Sequence, residues 1–160
     1  MRHTAHFHMI ISILTSQETV APMIGHQCIE AIAGKGLSGD RYATGKGFYA
    51  GVIEWDAHVT LIQEEPFSAL AMNHGVQIEP KELRRNIVTR GVDLRSLIGR
   101  DFQIGDRAIF RGRKAWPPCS HIVKLSGRRE IFHFLAEQTG IGVDVLVGGT
   151  IRVGDVIRML

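Results

Sequence analysis

The last twenty residues of the chain contain short, mostly apolar runs separated by glycine-containing turns. Gly148-Gly149 and Gly154-Asp155 mark two of these turns. Runs of four or five such residues between turns are typical of β-strands. This part of the chain therefore predicts three consecutive strands: Val143–Val147, Thr150–Val153 and Val156–Leu160.

The same pattern occurs earlier in the chain, while helical spacing is rare. Further strands are predicted over Phe7–Leu14, Gln27–Ala33 and His58–Gln63, and a hairpin joins Phe102–Ile104 to Arg107–Phe110. Two longer segments have amphipathic helical spacing, Glu64–Asn73 and Arg129–Thr139. The chain is therefore expected to be mainly β, a barrel or sandwich with helices at its ends, forming one domain over residues 1–160.

Positive charge is concentrated in the middle of the chain. Between Arg84 and Lys114 there are nine lysines and arginines against three aspartates, a local charge of +6 in a chain whose net charge is +3. Fourteen of its 19 basic residues are arginine, whose planar fork binds phosphate or carboxylate through two hydrogen bonds. This favours an anionic ligand. A solvated basic face and nucleic-acid binding remain alternatives, although no nucleic-acid-binding motif is present.

The two cysteines, Cys28 and Cys119, are too few for a disulfide framework, which indicates a reducing compartment. No apolar run approaches the roughly 20 residues of a transmembrane helix. The apolar stretch near the N-terminus is short, is interrupted by His8 and lacks a cleavage signal. A cytoplasmic protein without membrane attachment is therefore expected.

The segment Arg84–Leu94 carries polar residues at even spacing. Arg84, Asn86 and Arg90 would lie on one face if this segment were extended. Two guanidinium groups and an amide would then point toward a common partner. The alternative is an edge strand whose charges prevent aggregation.

Cys119 follows two prolines in the segment Trp116-Pro117-Pro118-Cys119. Proline fixes the backbone and removes a hydrogen-bond donor, so a stiff, non-helical loop is expected to present the thiol. With cations nearby, such a thiol is a candidate reactive thiolate or metal ligand, whereas a buried, inert cysteine is the alternative.

Two histidines and one loop complete the candidate site. His58 and His121 are candidate proton shuttles beside the cysteine, with purely structural roles as the alternative. The glycine-rich stretch Tyr42–Gly51 is predicted to be a mobile loop that covers the site.

Five pieces of sequence, in this order, resemble the MOSC domain, the C-terminal module of molybdenum-cofactor sulfurases, and in particular its small stand-alone bacterial members. They are Gly39-Asp40-Arg41, HVTLIQEE (58–65), RRNIVTRGVDL (84–94), Pro117-Pro118-Cys119 and VGGTIRVGDVI (147–157). The resemblance extends from about Ile10 to the C-terminus. It implies a mostly β fold built around a barrel, with a few peripheral helices.

The resemblance also implies a molybdopterin-type cofactor. Cys119 falls on the family's cysteine, and Arg41, Arg84 and Asn86 fall on the arginine and Arg-x-Asn positions of its motifs. The expected cofactor-binding residues are Arg41, Arg84, Arg85, Asn86, His58 and His121, with Cys119 as catalytic residue and metal ligand. Many relatives carry a second cysteine three positions before the first, where this chain has Trp116.

Three functions are compatible with these features. In the first, a molybdenum-cofactor oxidoreductase reduces N-oxygenated small molecules, with electrons from a separate electron-transfer protein. In the second, Cys119 carries sulfur as a persulfide received from a pyridoxal-phosphate-dependent cysteine desulfurase. In the third, a basic binding module contains an inert Cys119. The first two make the chain an enzyme, an oxidoreductase or a sulfurtransferase.

Overall fold

The computed structural model describes residues 7–47, 56–118, 120–135 and 137–160. In these ranges the chain forms eleven strands and three α-helices. The strands are β1 (Met9–Thr15), β2 (Ile24–His26), β3 (Cys28–Ile32), β4 (Gly36–Leu37), β5 (Val59–Gln63), β6 (Ile87–Arg90), β7 (Asp101–Ile104), β8 (Ala108–Ala115), β9 (Ile141–Val147), β10 (Gly149–Arg152) and β11 (Ile157–Met159). The helices are α1 (Glu65–His74), α2 (Ser120–Ser126) and α3 (Glu130–Leu135), and two 3₁₀ helices cover Pro80–Leu83 and Leu94–Leu97.

Eight strands form one sheet in the order β11-β7-β8-β9-β5-β6-β1-β2, and a second sheet has the order β10-β3-β4. Strands β5 and β6 pair in parallel, with Leu61 opposite Ile87. A parallel pair needs a crossover between its strands, and here α1 and the Pro80–Leu83 turn supply it. This crossover places the segment just before β6 beside the start of β5.

Alternating residues of β5 divide the apolar interior into two clusters. Val59 and Leu61 belong to the larger cluster, which also contains residues of β3, β7, β8 and β10. Ile62 points to the other face and joins a smaller cluster with residues from all three helices. Both faces of β5 are therefore covered, and its first four residues are all buried, Thr60 among them, in the manner of a buried parallel strand.

The prediction of a mainly β fold with a few helices is confirmed, whereas the prediction that the strands form a barrel is wrong. Within the described ranges, the eight-stranded sheet is open, with β11 and β2 at its two ends. The chain near β11 does return to β1, since the amide of Ile157 donates to the carbonyl of His8 at 2.8 Å. The strand pairing at this place is limited to one isolated bridge, between Met9 and Val156. Strand β11 itself is only three residues long and pairs with β7.

The first predicted helix is confirmed almost to the residue, and the second is shorter than predicted. Helix α1 ends where Gly75 adopts a left-handed conformation (φ 66°) and donates to the carbonyl of Ala71. The Arg129–Thr139 prediction overestimates α3, which ends at Leu135. The amide of Gln138 then donates to the carbonyl of Leu135 in a turn, and at Gly140 the chain passes so close to β5 that a side chain would collide with the carbonyl of Leu61. Among the described residues, no helix is both long enough and apolar enough to cross a bilayer.

Helix α2 was not predicted, because the two prolines favoured an extended loop through this segment. Its signals are nevertheless present in the sequence. Ile122 is 7% exposed and packs in the smaller apolar cluster that contains Ile62. Gly127 ends the helix, with a left-handed φ of 69° and an amide that donates to the carbonyl of Val123. The consequence for the site is that the residues directly after the Pro-Pro segment lie on a helix.

Candidate functional site

The chain changes direction sharply at Arg84, immediately before β6. Arg84 has φ 57° and ψ 36°, and it is the only non-glycine residue with positive φ in the described part of the chain. Such a conformation costs about 1 kcal/mol or more and is held in place by surrounding contacts. The prediction that Arg84, Asn86 and Arg90 share one face of an extended strand is therefore wrong. Arg90 lies at the other end of β6, paired with Glu64 at 2.9 Å.

The guanidinium of Arg84 reaches the loop that follows β1. It donates to the carbonyl oxygens of Ala21 (2.7 Å) and Glu18 (3.1 Å) and to the hydroxyl of Ser16 (3.1 Å). Burial, and then the positive charge of Arg41, lower the pKa of Arg84 from its usual value. The group nevertheless remains protonated at neutral pH, as arginine does in proteins. A half-buried cation thus lies beside a second cation.

Arg41 is joined to Arg84 through the backbone. Its guanidinium donates to the carbonyl oxygen of Arg84 at 2.8 Å and to the carboxylate of Asp40 at 3.2 Å. Asp40 is fully buried and also accepts from the amides of Ser16 (3.0 Å) and Tyr42 (3.2 Å). Two guanidinium groups from turns 43 residues apart in sequence therefore lie in one cluster.

His121, on α2, belongs to the same cluster. Burial of the ring, and then the positive charges of Arg84, Arg41 and Lys124, lower the pKa of His121 below its usual 6.5. The ring is therefore held neutral over part of the range in which an ordinary histidine is charged. We call Arg41, Arg84, His121 and Lys124 the cationic cluster.

The lowered pKa of His121 predicts how stability depends on pH. Between this pKa and 6.5, the unfolded chain binds a proton at His121 that the folded chain does not, so the free energy of unfolding falls as the pH falls through that window. Replacing His121 by glutamine is expected to remove this loss. Urea unfolding at about pH 7.5 and about pH 5.5 tests it, and a difference between variant and wild type that stays constant with pH would contradict it.

Cys119 lies outside the described residues, so its roles as nucleophile and metal ligand stay predictions. The residues before it are well defined. Trp116 is 4% exposed, and its ring packs so closely on β9 that a side chain at Gly142 would lie 2.7 Å from it. The position where many relatives carry a second cysteine therefore contributes a packed indole ring.

Arg85 points away from the cationic cluster, into the protein. It is 2% exposed, and its guanidinium donates to the carbonyl oxygens of Thr139 (2.8 Å), Leu83 (2.8 Å), Trp116 (3.0 Å) and Pro117 (3.4 Å). Arg85 therefore contacts the backbone just before Cys119. These contacts are all with the protein backbone, so the role of Arg85 as a cofactor ligand stays a prediction.

Asn86 is fully buried between three strands. Its carbonyl oxygen accepts from the amide (3.0 Å) and hydroxyl (3.1 Å) of Thr60 on β5, and its amide nitrogen donates to the carbonyl of Leu14 on β1. These bonds tie the start of β6 to both neighbouring strands.

His58 makes its described contacts on β9. Its Nδ1 accepts from the amide of Val145 at 3.0 Å and lies 3.7 Å from the carboxylate of Asp144. An ion pair with Asp144 would need a proton on Nδ1, which the Val145 bond excludes. The contact with Val145 is the shorter of the two and lies within hydrogen-bond distance, so we assign a neutral ring with its proton on Nε2.

The predicted covering loop, Tyr42–Gly51, is described as far as Gly47, and residues 48–51 lie outside the described residues. In the described part, Gly47 packs against the ring of Tyr42, and the Tyr42 and Trp116 rings meet edge to face with centroids 6.4 Å apart. The aromatic pair thus joins the Gly-Asp-Arg turn to the end of β8.

Sequence reasoning missed two members of this arrangement. One is Asp40 of the Gly-Asp-Arg motif, although an aspartate next to an arginine at a glycine turn indicates a buried pair. The other is Lys124, which acts on His121 from the same helix, α2, and the sequence pattern does not predict that helix. Among the described residues, no three histidine, cysteine, aspartate or glutamate side chains form a group that could hold a metal ion.

The fold and the cluster together define a small domain with a mostly antiparallel open sheet. In it two arginines and a histidine form one cluster, and the histidine follows the Pro-Pro-Cys segment in the sequence. The MOSC domain profile matches residues 34–158, and the chain belongs to the MOSC domain family.

Solved structures share this fold. The YuaD protein from Bacillus subtilis is 17% identical and superposes with a TM-score of 0.77, covering 95% of this chain and 94% of that protein. YiiM from Geobacillus stearothermophilus is 14% identical with a TM-score of 0.66, covering 96% and 75%. YiiM from Escherichia coli gives the same identity and score, covering 95% and 69%. At these identities the likeness concerns the fold. No functionally curated protein matches the sequence significantly.

Proposed function

We propose that this protein binds a molybdopterin-type molybdenum cofactor and reduces N-oxygenated small molecules, with Cys119 as the metal ligand. The observation that carries the proposal is the cationic cluster, in which Arg41 bonds to the backbone of Arg84 and both charges act on His121, two residues after Cys119. Membership of the MOSC domain family supports a molybdenum-cofactor-binding role.

The residues present fit such a cofactor. Molybdopterin carries a phosphate group. Burial and the positive charge of Arg41 lower the pKa of Arg84, and the smaller opposing effects come from Tyr42 and the buried carboxylate of Asp40. An anion at this cluster would relieve the repulsion between the cations, and guanidinium forks suit phosphate geometry. A thiolate is a soft ligand and suits a soft metal centre.

The roles of the residues follow from their positions. Arg41 and Arg84 would bind the phosphate. His121, whose lowered pKa keeps the ring neutral at pH values just below 6.5, would hold or release a proton beside the substrate. Asn86 and Arg85 would support the site from behind, and His58 would present its Nε2 proton from the start of β5. When bound, the cofactor would supply two-electron redox chemistry.

The reaction also implies a partner. Reduction of an N-oxygenated compound consumes two electrons and two protons and releases water. The chain offers a lone site thiol, since Trp116 stands where many relatives have a second cysteine. We therefore propose that a separate electron-transfer protein delivers the electrons. We also propose a cytoplasmic location and no nucleic-acid partner.

Molybdenum content tests the proposal. Protein purified from a host that makes the cofactor should contain molybdenum, and Cys119→Ala should lower the bound metal by about tenfold or more. Cys28→Ala is the matched control, because Cys28 is an exposed cysteine on β3 and should have no effect. A folded wild-type protein without molybdenum, or equal loss in both variants, would refute the metal-ligand role.

A second candidate function is sulfur transport on Cys119. The observation that favours it is the cationic cluster, whose member His121 follows Cys119 by two residues in the sequence. Cations stabilise a persulfide anion as they do a thiolate. The Cys119 thiolate would attack the outer sulfur of a desulfurase persulfide, forming a new S–S bond and releasing the desulfurase thiol. Intact-mass analysis after incubation with a pyridoxal-phosphate-dependent desulfurase and cysteine should show one added sulfur on Cys119. Its absence would exclude this function.

A further inference from the structure

We propose that residues 17–22, the outer part of the loop between β1 and β2, form a latch: Arg84 holds it closed, and a phosphate group that binds to the cationic cluster opens it. The proposal rests on the proposed function, in which Arg84 binds the phosphate of the cofactor. It adds that the latch and the phosphate compete for the same guanidinium.

Both terminal nitrogens of the Arg84 guanidinium bond to this loop. Nη1 donates to the carbonyl of Ala21, and Nη2 donates to the carbonyl of Glu18 and the hydroxyl of Ser16. An arginine binds phosphate through two parallel N–H groups, either Nη1 with Nη2 or Nε with Nη2, so Nη2 takes part in both arrangements. Because Nη2 carries two N–H groups and already has two partners, a phosphate bound in this way has to displace at least one of them.

The phosphate is the stronger partner in this exchange. Its negative charge attracts the guanidinium groups of both Arg84 and Arg41, whereas the carbonyl and hydroxyl oxygens of the loop are neutral. Arg41 and Arg84 also repel each other, and an anion between them relieves that repulsion. The gain from charge therefore exceeds the loss of the loop bonds.

The exchange moves the loop and not Arg84. The guanidinium of Arg41 donates to the carbonyl of Arg84 at 2.8 Å and so holds its left-handed backbone from the other side. The base of the loop is also fixed, because Ser16 is 1% exposed, its amide donates to Asp40 at 3.0 Å and its carbonyl accepts from the amide of Arg41 at 2.8 Å. Opening is therefore confined to residues 17–22.

Little besides Arg84 holds the latch against the rest of the protein. Residues 17–22 are exposed or half-buried. Among the described residues, their other polar contacts outside the loop are with Lys46, whose ammonium lies 3.8 Å from the carboxylate of Glu18 and whose carbonyl accepts from the hydroxyl of Thr19. Exposed contacts of this kind contribute little, so the latch becomes mobile when Arg84 releases it.

An NMR titration of the whole protein with inorganic phosphate tests the proposal, with the ionic strength held constant by chloride so that screening does not change. In the wild type, phosphate should bind saturably. Binding should lower the backbone order parameters of residues 17–22, from ¹⁵N relaxation, from about 0.85 to below about 0.6. The order parameters of β1 should not change.

Ser16→Ala separates competition from cooperation. This variant removes one partner of Nη2, so phosphate has less to displace and should bind at least about threefold more tightly than to the wild type. Ser68→Ala is the matched control, because the Ser68 hydroxyl bonds to Glu64 on an exposed face of α1. Its phosphate affinity should stay within about 1.5-fold of the wild-type value.

Arg84→Lys tests the closed state directly and serves if Ser16→Ala does not fold. An ammonium group keeps the charge but does not reproduce the planar fork that reaches Ala21, Glu18 and Ser16 together. Residues 17–22 should then have order parameters below about 0.6 before phosphate is added, and phosphate should change them little.

Phosphate binding that leaves residues 17–22 rigid, or weaker binding by Ser16→Ala, would overturn the latch, because the loop would then be part of the phosphate site. Absence of phosphate binding by both the wild type and Ser16→Ala would refute the phosphate site together with the latch. Phosphate-dependent opening in a protein that never acquires molybdenum would refute the metal function alone and support the latch.

Discussion

Replacing Asp40 by asparagine is expected to lower the free energy of unfolding by about 3 to 5 kcal/mol. The carboxylate is fully buried and accepts from Arg41 and from the amides of Ser16 and Tyr42. An asparagine keeps the volume, but it leaves the buried guanidinium of Arg41 without its counter-charge and turns one acceptor into a donor. Urea unfolding at constant pH measures the loss.

The matched control is Asp101→Asn, because Asp101 also pairs with an arginine but does so at the protein surface. Exposed pairs contribute little, so this variant should remain close to the wild type. Asp40→Asn should also lose bound molybdenum, since Arg41 would no longer be held against the carbonyl of Arg84. Equal effects of the two substitutions would show that burial of the Asp40 pair is not what stabilises the turn.

The strands were predictable because their signals are local. Apolar alternation and glycine turns place β3, β5 and the β7–β8 hairpin within a few residues of the predicted bounds, apart from the C-terminal extension of β8 to Ala115. The closure of the sheet is not local. Whether β1 and β11 form a ladder or a single bridge depends on strand length and twist at two distant places, which periodicity does not encode.

The site was predictable in its residue types but not in its geometry. The Arg-x-Asn spacing suggested a shared face, but that inference needs an extended backbone, and Arg84 is left-handed because it ends the Pro80–Leu83 turn. Arg84 and Arg85 consequently point in different directions, one to the cationic cluster and one to the interior. No rule of sequence spacing distinguishes a guanidinium that faces a ligand from one that binds backbone carbonyls.

The fold explains why these groups meet at one place. The parallel pairing of β5 and β6 puts the segment before β6 next to the start of β5, and Arg41 reaches the backbone of Arg84 from the Gly-Asp-Arg turn. The Pro-Pro segment follows β8, whose last residues pair with the beginning of β9. Arg85 then connects β6 to this segment. The cationic cluster and the Pro-Pro segment are therefore tied to two consecutive residues, Arg84 and Arg85 respectively.

The remaining large effect concerns Asn86, whose side chain holds three strands together. Asn86→Ala is expected to lower the free energy of unfolding by about 4 kcal/mol, because it leaves the amide and hydroxyl of Thr60 and the carbonyl of Leu14 buried without this partner. Asn73→Ala is the matched control. Asn73 is exposed in the last turn of α1, and the same substitution there should change stability by less than about 0.5 kcal/mol.

A double-mutant cycle with Thr60→Val separates the hydrogen bonds from the loss of the side chain itself. Once the Thr60 hydroxyl is gone, Asn86→Ala leaves fewer buried groups without a hydrogen-bond partner. The loss in the free energy of unfolding in the double variant should therefore be smaller than the sum of the two single losses by at least about 0.5 kcal/mol. Simple additivity would mean that the two side chains stabilise the fold independently. Asn86 would then act through packing alone, and the link from β5 to the start of β6, on which the position of Arg84 and Arg85 depends, would have to lie in the backbone pairing of the two strands.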